Sequence, residues 1–153
     1  HYGSAIEMLI GRAVLDFPGA GAGGGIGAAL VGLLGAELKP GVDIVMTALD
    51  LASVVADADL VVTGEGRLDG QTLHGKTPIG VARCAKRFGK PVIAIAGSLG
   101  EGCDAVYGQG IDAIFATLPR AMTLAEALNS AHENLRLTAR NVAALWQLNT
   151  KLA

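Results

Sequence analysis

The sequence predicts an α/β fold built around a parallel β-sheet. Three apolar runs lie at 58–64, 90–97 and 110–119, and each closes on glycine or proline. Segments of helical character separate the runs. Strand, helix, strand, helix, strand with short connections is typical of right-handed βαβ units. We therefore expect three parallel strands flanked by helices.

Capping signals mark two of the predicted helices. In the segment 77–89, we expect Thr77 to be the N-cap, with proline at the first helical position and glycine at the end. A long helix is expected from Thr123, because Thr123 and Glu126 form a capping-box pattern. Its apolar face comprises Leu124, Leu128, Ala131, Leu135, Thr138, Val142 and Leu145. We expect this face to cover the sheet, and a short helical piece at 103–109.

The first fifty residues follow a different pattern. They predict a helix at 4–12, a short strand at 13–17, a glycine loop, a buried helix at 26–36 and a strand at 43–49. The domain boundary is expected in the segment that follows, so we divide the chain into residues 1–55 and 56–153.

Composition excludes several classes of protein. The chain has 153 residues, enough for an ordinary domain, and it is 51% hydrophobic. A net charge of −2 argues against nucleic acid as a partner, which requires a basic face. The uncharged segment 17–36 is too rich in glycine to predict a membrane span. Two cysteines without a C-x-x-C pattern indicate neither a disulfide framework nor zinc, and His74 has no second zinc ligand at a suitable spacing. A cytoplasmic location is therefore expected.

The stretch GQTLHGKT, residues 70–77, fits the phosphate-binding P-loop pattern letter by letter. In a true P-loop the motif directly follows a strand, and its lysine lies in the first turn of the next helix. Here the strand is expected to end near Gly64, and Pro78 indicates that the helix begins after Lys76. The context therefore argues against a P-loop fold.

The segment 63–78 still carries the groups that phosphoryl transfer needs. It lies at the carboxyl end of a predicted strand and precedes a helix N-terminus, where open sheets and helices bind anions. Its charged residues would neutralise phosphate charge, hold a metal and accept a proton. We select Lys76, Asp69, Arg67 and Glu65 as catalytic candidates, with Gly64, Gly66, Gln71, Thr72 and Gly75 as binding candidates. The alternative is a solvated loop with an internal salt bridge.

Two further segments are candidates for the same cleft. Ser98 and Glu101 follow the second predicted strand. The cluster that starts at Gly19 matches G-x-G-x-x-G, the dinucleotide fingerprint, and includes Gly21, Gly23 and Gly24. It follows a predicted strand, but the acidic residue expected to bind a ribose is poorly placed. Dinucleotide binding, close approach to another phosphate or to a second domain, and simple packing are the alternatives.

Taken together, these segments resemble the C-terminal part of bacterial type I glycerate kinases. The resemblance rests on PGAGAGGGIGAALVGLLGAELKPGVDIV, on TGEGRLDGQTLHGKTPIGVA with its flanks, and on LTARNVAALW. It implies a Rossmann-like domain, with residues 1–55 as the end of an inserted second α/β domain. It also implies transfer of the γ-phosphoryl group of ATP to D-glycerate, with Mg²⁺ and with 2-phosphoglycerate as the usual product.

Specific roles follow as hypotheses. Lys76 neutralises the transferred phosphoryl group, and Arg67 binds the glycerate carboxylate. Asp69 takes the hydroxyl proton or holds Mg²⁺, with Glu65 as its rival for both tasks. Gln71 and Thr72 orient substrate oxygens.

The resemblance also implies that a part of the protein is missing. Whole kinases of this family are more than twice as long, and a further glycine-rich loop has no counterpart here. The chain alone is therefore expected to be inactive or dependent on the missing N-terminal half, and a homo-oligomer stays open. Two alternatives are a dinucleotide-dependent oxidoreductase using residues 19–24 and a non-catalytic α/β fragment.

Overall fold

A computed structural model describes residues 1–73 and 75–152, so the expectation that His74 does not bind zinc lies outside the described residues. The chain divides into two compact units, His1–Gly41 and the remainder from Val42. This division falls earlier in the chain than the predicted boundary after residue 55. The assignment of the first unit to an inserted domain stays a prediction.

The first unit is built from two helices, α1 (Tyr2–Ile10) and α2 (Ala22–Leu34). Its small core consists of Ile6, Val14, Ala20 and Ala28. The predicted strand at 13–17 is wrong, because this segment forms turns. The backbone N–H groups of Val14 and Leu15 donate to Glu7 Oε1 at 2.8 and 3.1 Å, so a side chain satisfies them where a strand would need a neighbour.

The glycine cluster bends the start of α2. Gly23, Gly24 and Gly25 all have positive φ, at 60°, 71° and 99°, and glycine adopts this region without a steric penalty. The helix also ends before the predicted residue 36. It is only partly buried, since Ile26 and Leu34 are 56% and 75% exposed. The prediction of a buried helix is therefore only partly correct.

The second unit begins with two short helices, α3 (Gly41–Ala48) and α4 (Leu51–Ala56). The predicted strand at 43–49 is wrong, and the reason is visible in its packing. Val42 and Met46, one helical turn apart, both approach Gly80. In a helix these two side chains are neighbours on one face and can contact the same residue, whereas in an extended strand they would lie too far apart for that.

The sheet consists of β1 (Val61–Leu68), β2 (Val92–Leu99) and β3 (Ala113–Ala116) in the order β1-β2-β3, all parallel. This confirms the predicted α/β architecture. The helix α5 (Thr77–Arg87) connects β1 and β2, and it begins with Lys76 as N-cap rather than Thr77. The core comprises Val55, Val61, Leu68, Ile79, Ala82, Ala85, Val92, Ala94, Ala96, Val106 and Ile111.

The strand β1 is longer than predicted, since it continues past Gly64 to Leu68. Two short 3₁₀ helices follow the first two strands, at Gly70–Leu73 and, as predicted, at Cys103–Gln109. The extension places Glu65 and Arg67 on the strand and not in a loop. This difference defines the geometry of the candidate site.

The predicted long C-terminal helix is two helices, α6 (Leu124–Asn129) and α7 (Ala131–Leu152), separated at Ser130. The predicted capping box is confirmed. The Thr123 N–H donates to Glu126 Oε2 at 2.8 Å, and the Glu126 N–H donates to Thr123 Oγ1 at 3.3 Å.

The apolar face of α6 and α7 covers the sheet only in part. Val142 is buried and Leu135 approaches the sheet, but Leu124 and Leu128 are 75% and 66% exposed. Within the described residues, no helix combines the length and the hydropathy that a membrane span requires.

Candidate active site

The candidate site lies at the carboxyl end of β1, on the ladder that this strand shares with β2. Glu65 pairs with Ala96, and Arg67 pairs with Ser98. The two strands approach very closely here, because a Cβ at Gly64 would overlap the carbonyl oxygen of Ile95. Glycine at position 64 thus permits β1 to pair with β2 up to the charged residues at its end.

Glu65 and Lys76 form the inner ion pair of the site. Lys76 Nζ lies 3.6 Å from Glu65 Oε2. The Glu65 side chain is 16% exposed and that of Lys76 is 40% exposed, so the pair is partly withdrawn from solvent. A partly buried pair is screened less by salt than a surface pair.

Asp69 and Arg67 form the outer ion pair. Arg67 Nε lies 3.2 Å from Asp69 Oδ2, and Lys76 Nζ lies 4.0 Å from Asp69 Oδ1. The Gln71 N–H donates to Asp69 Oδ1 at 3.0 Å. Arg67 is 67% exposed, which leaves its guanidinium accessible to an anion from solvent. All four predicted catalytic side chains therefore belong to one cluster.

Thr72 lies beneath this cluster and is fully buried. Its Oγ1 donates to Glu65 Oε1 at 2.5 Å and accepts the Asp69 N–H at 3.1 Å. This burial argues against the predicted direct contact between Thr72 and a substrate oxygen. Gln71, by contrast, is exposed, so its side chain stays available for that role.

The P-loop pattern does not form a P-loop. The residues after Gly70 form a 3₁₀ helix, and Lys76 is the N-cap of α5 in extended conformation and not part of its first turn. Gly75, just before the lysine, has a φ of 82° that favours glycine. Lys76 nevertheless lies at a helix N-terminus, where free N–H groups and the dipole favour an anion.

One residue of the site was not predicted. A Cβ at Gly100 would come within 2.9 Å of Arg67 Nε and of Asp69 Cβ, so only glycine leaves room for the outer ion pair. The chain is held there by two bonds: the Gly100 N–H donates to the Leu68 carbonyl at 2.8 Å, and the Gly70 N–H donates to the Glu101 carbonyl at 3.0 Å. The glycine-rich turn after β2 was the available signal.

A groove of about 550 Å³ adjoins the cluster, between the sheet and α7. Its lining includes Val62, Ile95 and Leu135, and it reaches the cluster at Glu65. The lining of this groove is mainly apolar, as is common in ligand sites.

The glycine cluster at 19–24 lies in the first unit and does not have the dinucleotide-binding geometry. The fingerprint requires a strand that leads into the glycine turn, and the residues before Gly19 form turns instead. The oxidoreductase alternative therefore loses its structural basis. The binding roles predicted for Gly21, Gly23 and Gly24 stay predictions.

The donor set suits Mg²⁺ better than a transition metal. Among the described residues, no group of three or more histidine, cysteine or acidic side chains is arranged to hold a metal. Mg²⁺ is commonly held by one or two carboxylates together with substrate phosphates and water. Glu65 and Asp69 are the carboxylates of the cluster that could take this role, and both lie beside Lys76 Nζ, at 3.6 and 4.0 Å.

Comparison with known proteins assigns the family. The sequence model of the Glycerate kinase family matches residues 1–147. The chain belongs to the glycerate kinase family. It is 52% identical to a glycerate 2-kinase from Escherichia coli K12 over 153 residues, which is all of this chain and 40% of that protein.

Other members of the glycerate kinase family match this chain with similar identity and over a similar share of their length. A glycerate kinase from Halalkalibacterium halodurans is 51% identical over 98% of this chain and 40% of its own length. A crystal structure assigned to glycerate kinase 2 from Salmonella typhimurium LT2 has a TM-score of 0.75 and 51% identity, and the match covers 98% of this chain and 38% of that one. The chain thus spans about two fifths of the length of these relatives.

Proposed function

We propose that this chain is the C-terminal part of a kinase that phosphorylates D-glycerate with ATP. The observation that carries the proposal is the cluster of Glu65, Arg67, Asp69 and Lys76 at the end of β1. It unites two carboxylates, an ammonium and a guanidinium next to a helix N-terminus. Membership of the glycerate kinase family supplies the substrate class.

The proposed reaction joins the glycerate hydroxyl oxygen to the γ-phosphorus while the bond from that phosphorus to the bridging oxygen of ADP breaks. The hydroxyl proton passes to a carboxylate, for which Asp69 is the first candidate and Glu65 the second. Lys76 offsets the charge that spreads over the transferred group. Catalysis of this kind depends on positioning and electrostatics more than on covalent chemistry.

Substrate binding is assigned to the exposed side of the cluster. Arg67 offers its guanidinium to the glycerate carboxylate, since a carboxylate can accept two parallel hydrogen bonds from it. Gln71 would orient a substrate oxygen, and Gly64, Gly66, Gly75 and Ser98 are proposed to contact the substrate or the nucleotide. Mg²⁺, when bound, would neutralise phosphate charge, with Asp69 or Glu65 as its protein ligand.

Several features of the proposal concern the whole protein. The product is proposed to be 2-phosphoglycerate, and the reaction is placed in the cytoplasm. The preceding part of the longer protein would supply the rest of the site, which is consistent with the length of the relatives. A homo-oligomer stays open.

The decisive experiment measures Mg²⁺-dependent release of ADP from ATP, with and without D-glycerate. It is run on this chain and on the longer parent protein. We expect release that depends on glycerate from the parent, and little or none from this chain alone. Phosphorus NMR of the product would distinguish 2-phosphoglycerate from 3-phosphoglycerate.

The other outcomes are equally informative. No release from either protein would overturn the proposed function and favour a non-catalytic α/β fragment. Full activity of this chain alone would retain the kinase and reject its dependence on a missing part. A change in nicotinamide fluorescence on mixing, without ATP binding, would instead revive the oxidoreductase alternative.

A further inference from the structure

Thr72 occupies an unusual position for a polar side chain. It is fully buried, whereas the charged groups around it are all partly exposed. Burial of a hydroxyl is costly unless the group is hydrogen-bonded. Thr72 meets this condition through two residues of the cluster, since it bonds to the side-chain carboxylate of Glu65 and to the backbone N–H of Asp69.

The direction of both hydrogen bonds follows from simple chemistry. A threonine hydroxyl has one proton and two acceptor lone pairs. The Asp69 N–H can only donate, so Thr72 Oγ1 accepts there, at 3.1 Å. Its single proton therefore goes to Glu65 Oε1, in a hydrogen bond to a charged acceptor.

These bonds determine how Glu65 faces Lys76. One carboxylate oxygen is held by the buried Thr72, so the other, Oε2, is directed to Lys76 Nζ at 3.6 Å. The second bond holds the backbone at the start of the turn from which the Asp69 side chain projects. A single hydroxyl thus connects the two acids that flank the lysine.

We propose that Thr72 is a positioning residue for phosphoryl transfer, holding Glu65 and Asp69 in the orientation that flanks Lys76. The inference rests on the proposed function, and it differs from the predicted role of a substrate contact. Thr72 acts here through Glu65 and Asp69 and does not touch substrate. Small displacements of catalytic groups reduce turnover strongly, by as much as about 100-fold per ångström.

The test compares Thr72→Val, Thr72→Ser and wild type in the longer parent protein. Valine keeps the shape and the buried methyl group but replaces the hydroxyl with a second methyl, whereas serine keeps the hydroxyl. We expect Thr72→Val to lower kcat about 10- to 100-fold. The KM values for ATP and D-glycerate should change by less than about threefold, because the substrate-binding groups are intact. Thr72→Ser should recover most of the lost turnover.

The control variant is Thr123→Val, which removes the capping hydroxyl of α6, outside both the cluster and the groove, where Thr123 Oγ1 accepts the Glu126 N–H at 3.3 Å. It should leave kcat within about twofold of wild type. If Thr72→Val does not fold, judged by circular dichroism, the pair Thr72→Ala and Thr72→Ser replaces it. Alanine should then show the loss in kcat, and serine the recovery.

The outcomes separate the inference from the proposed function. Absence of glycerate-dependent ADP release from wild type would overturn the proposed function and the inference with it. An active wild type with an equally active Thr72→Val variant would overturn the inference alone. A rise in KM without a fall in kcat would also overturn it, since that result would identify Thr72 as a binding residue.

Discussion

At the scale of single residues, the site depends on how each charge is balanced. Lys76 faces two carboxylates, one 3.6 Å and one 4.0 Å away, while Arg67 is paired with the second of them. The cluster as a whole therefore contains two positive and two negative groups. The addition of a phosphoryl group would leave an excess of negative charge that Lys76 is best placed to offset.

The first prediction concerns Lys76. The proposed role requires that Lys76→Ala lowers turnover on the order of 10²–10³-fold, by analogy with the loss of a positioned oxyanion donor. Its melting temperature should change little, because the ion pair is partly exposed. Lys90→Ala, in the turn before β2, is the matched control and should retain full turnover. A Lys76→Ala protein with most of its kcat would rule out the assigned role.

At the scale of elements, the close pairing of β1 and β2 limits which residues the site can contain. A Cβ at Gly64 would overlap the Ile95 carbonyl, while a Cβ at Gly66 would meet nothing within 4 Å. The same strand thus offers a crowded and an open glycine two residues apart. This contrast permits a controlled test of the packing.

The second prediction uses these two glycines. Gly64→Ala should destabilise the protein by about 1–3 kcal/mol, because the ladder must shift to admit the methyl group. Gly66→Ala should change the free energy of unfolding by less than about 0.5 kcal/mol. Urea unfolding of both variants measures the difference. Equal destabilisation would show that the strands do not approach as closely as described.

Asp112, the residue just before β3, is bonded to the helix α5 and to the strand β2. Its Oδ2 accepts from Lys86 Nζ of α5 at 2.6 Å and from the Val92 N–H of β2 at 2.6 Å. These bonds, led by the one from Lys86, hold the pKa of Asp112 below its ordinary value of 3.8. A lowered carboxyl pKa stabilises the folded state above that value, and the contribution is lost as the pH falls through the folded-state pKa.

The third prediction follows from the lowered pKa of Asp112. Asp112→Asn should lower the melting temperature near neutral pH, and the difference from wild type should shrink as the pH falls below 3.8. The effect should be less than about 1 kcal/mol, since the side chain is 49% exposed. Asp104→Asn is a control, as its carboxylate makes no ion pair within the described residues. A difference that does not vary with pH would contradict the prediction.

At the scale of the whole molecule, the C-terminal helices leave large apolar side chains exposed among the residues that the structure describes. Leu124, Leu128 and Leu145 are 75%, 66% and 57% exposed. Exposed apolar surface on this scale is a candidate interaction site. We proposed that this chain is the C-terminal part of a longer protein. The preceding part of that protein would then cover these side chains.

The fourth prediction tests that cover. We expect this chain alone to bind an apolar fluorescent dye more strongly than the longer parent protein, mole for mole. Replacing Leu124, Leu128 and Leu145 with glutamine should reduce dye binding by this chain and have little effect on its folding. Equal dye binding by the chain and the parent would show that the preceding part does not cover these helices.

Much of the architecture follows from local signals in the sequence. The apolar runs predict three parallel strands, Thr123 and Glu126 predict a capping box, and Pro78 places the start of α5 after Lys76. The charged residues of the site were also identifiable, because they crowd into one segment after a strand. These features depend on neighbours along the chain, which the sequence displays directly.

The tertiary structure alone decided the remaining features. The residues from Glu65 to Arg67 do not look like a strand, yet they pair with β2, because the ladder bonds backbone groups and tolerates polar side chains at its end. The backbone N–H of Val14 donates to the side chain of Glu7 instead of to a neighbouring strand. The side chain of Val42 packs against Gly80, so its segment is a helix and not a strand. Thr72 is buried because its hydroxyl bonds to the Glu65 carboxylate and to the Asp69 N–H. These two partners come together only when the strand and the following turn are both folded.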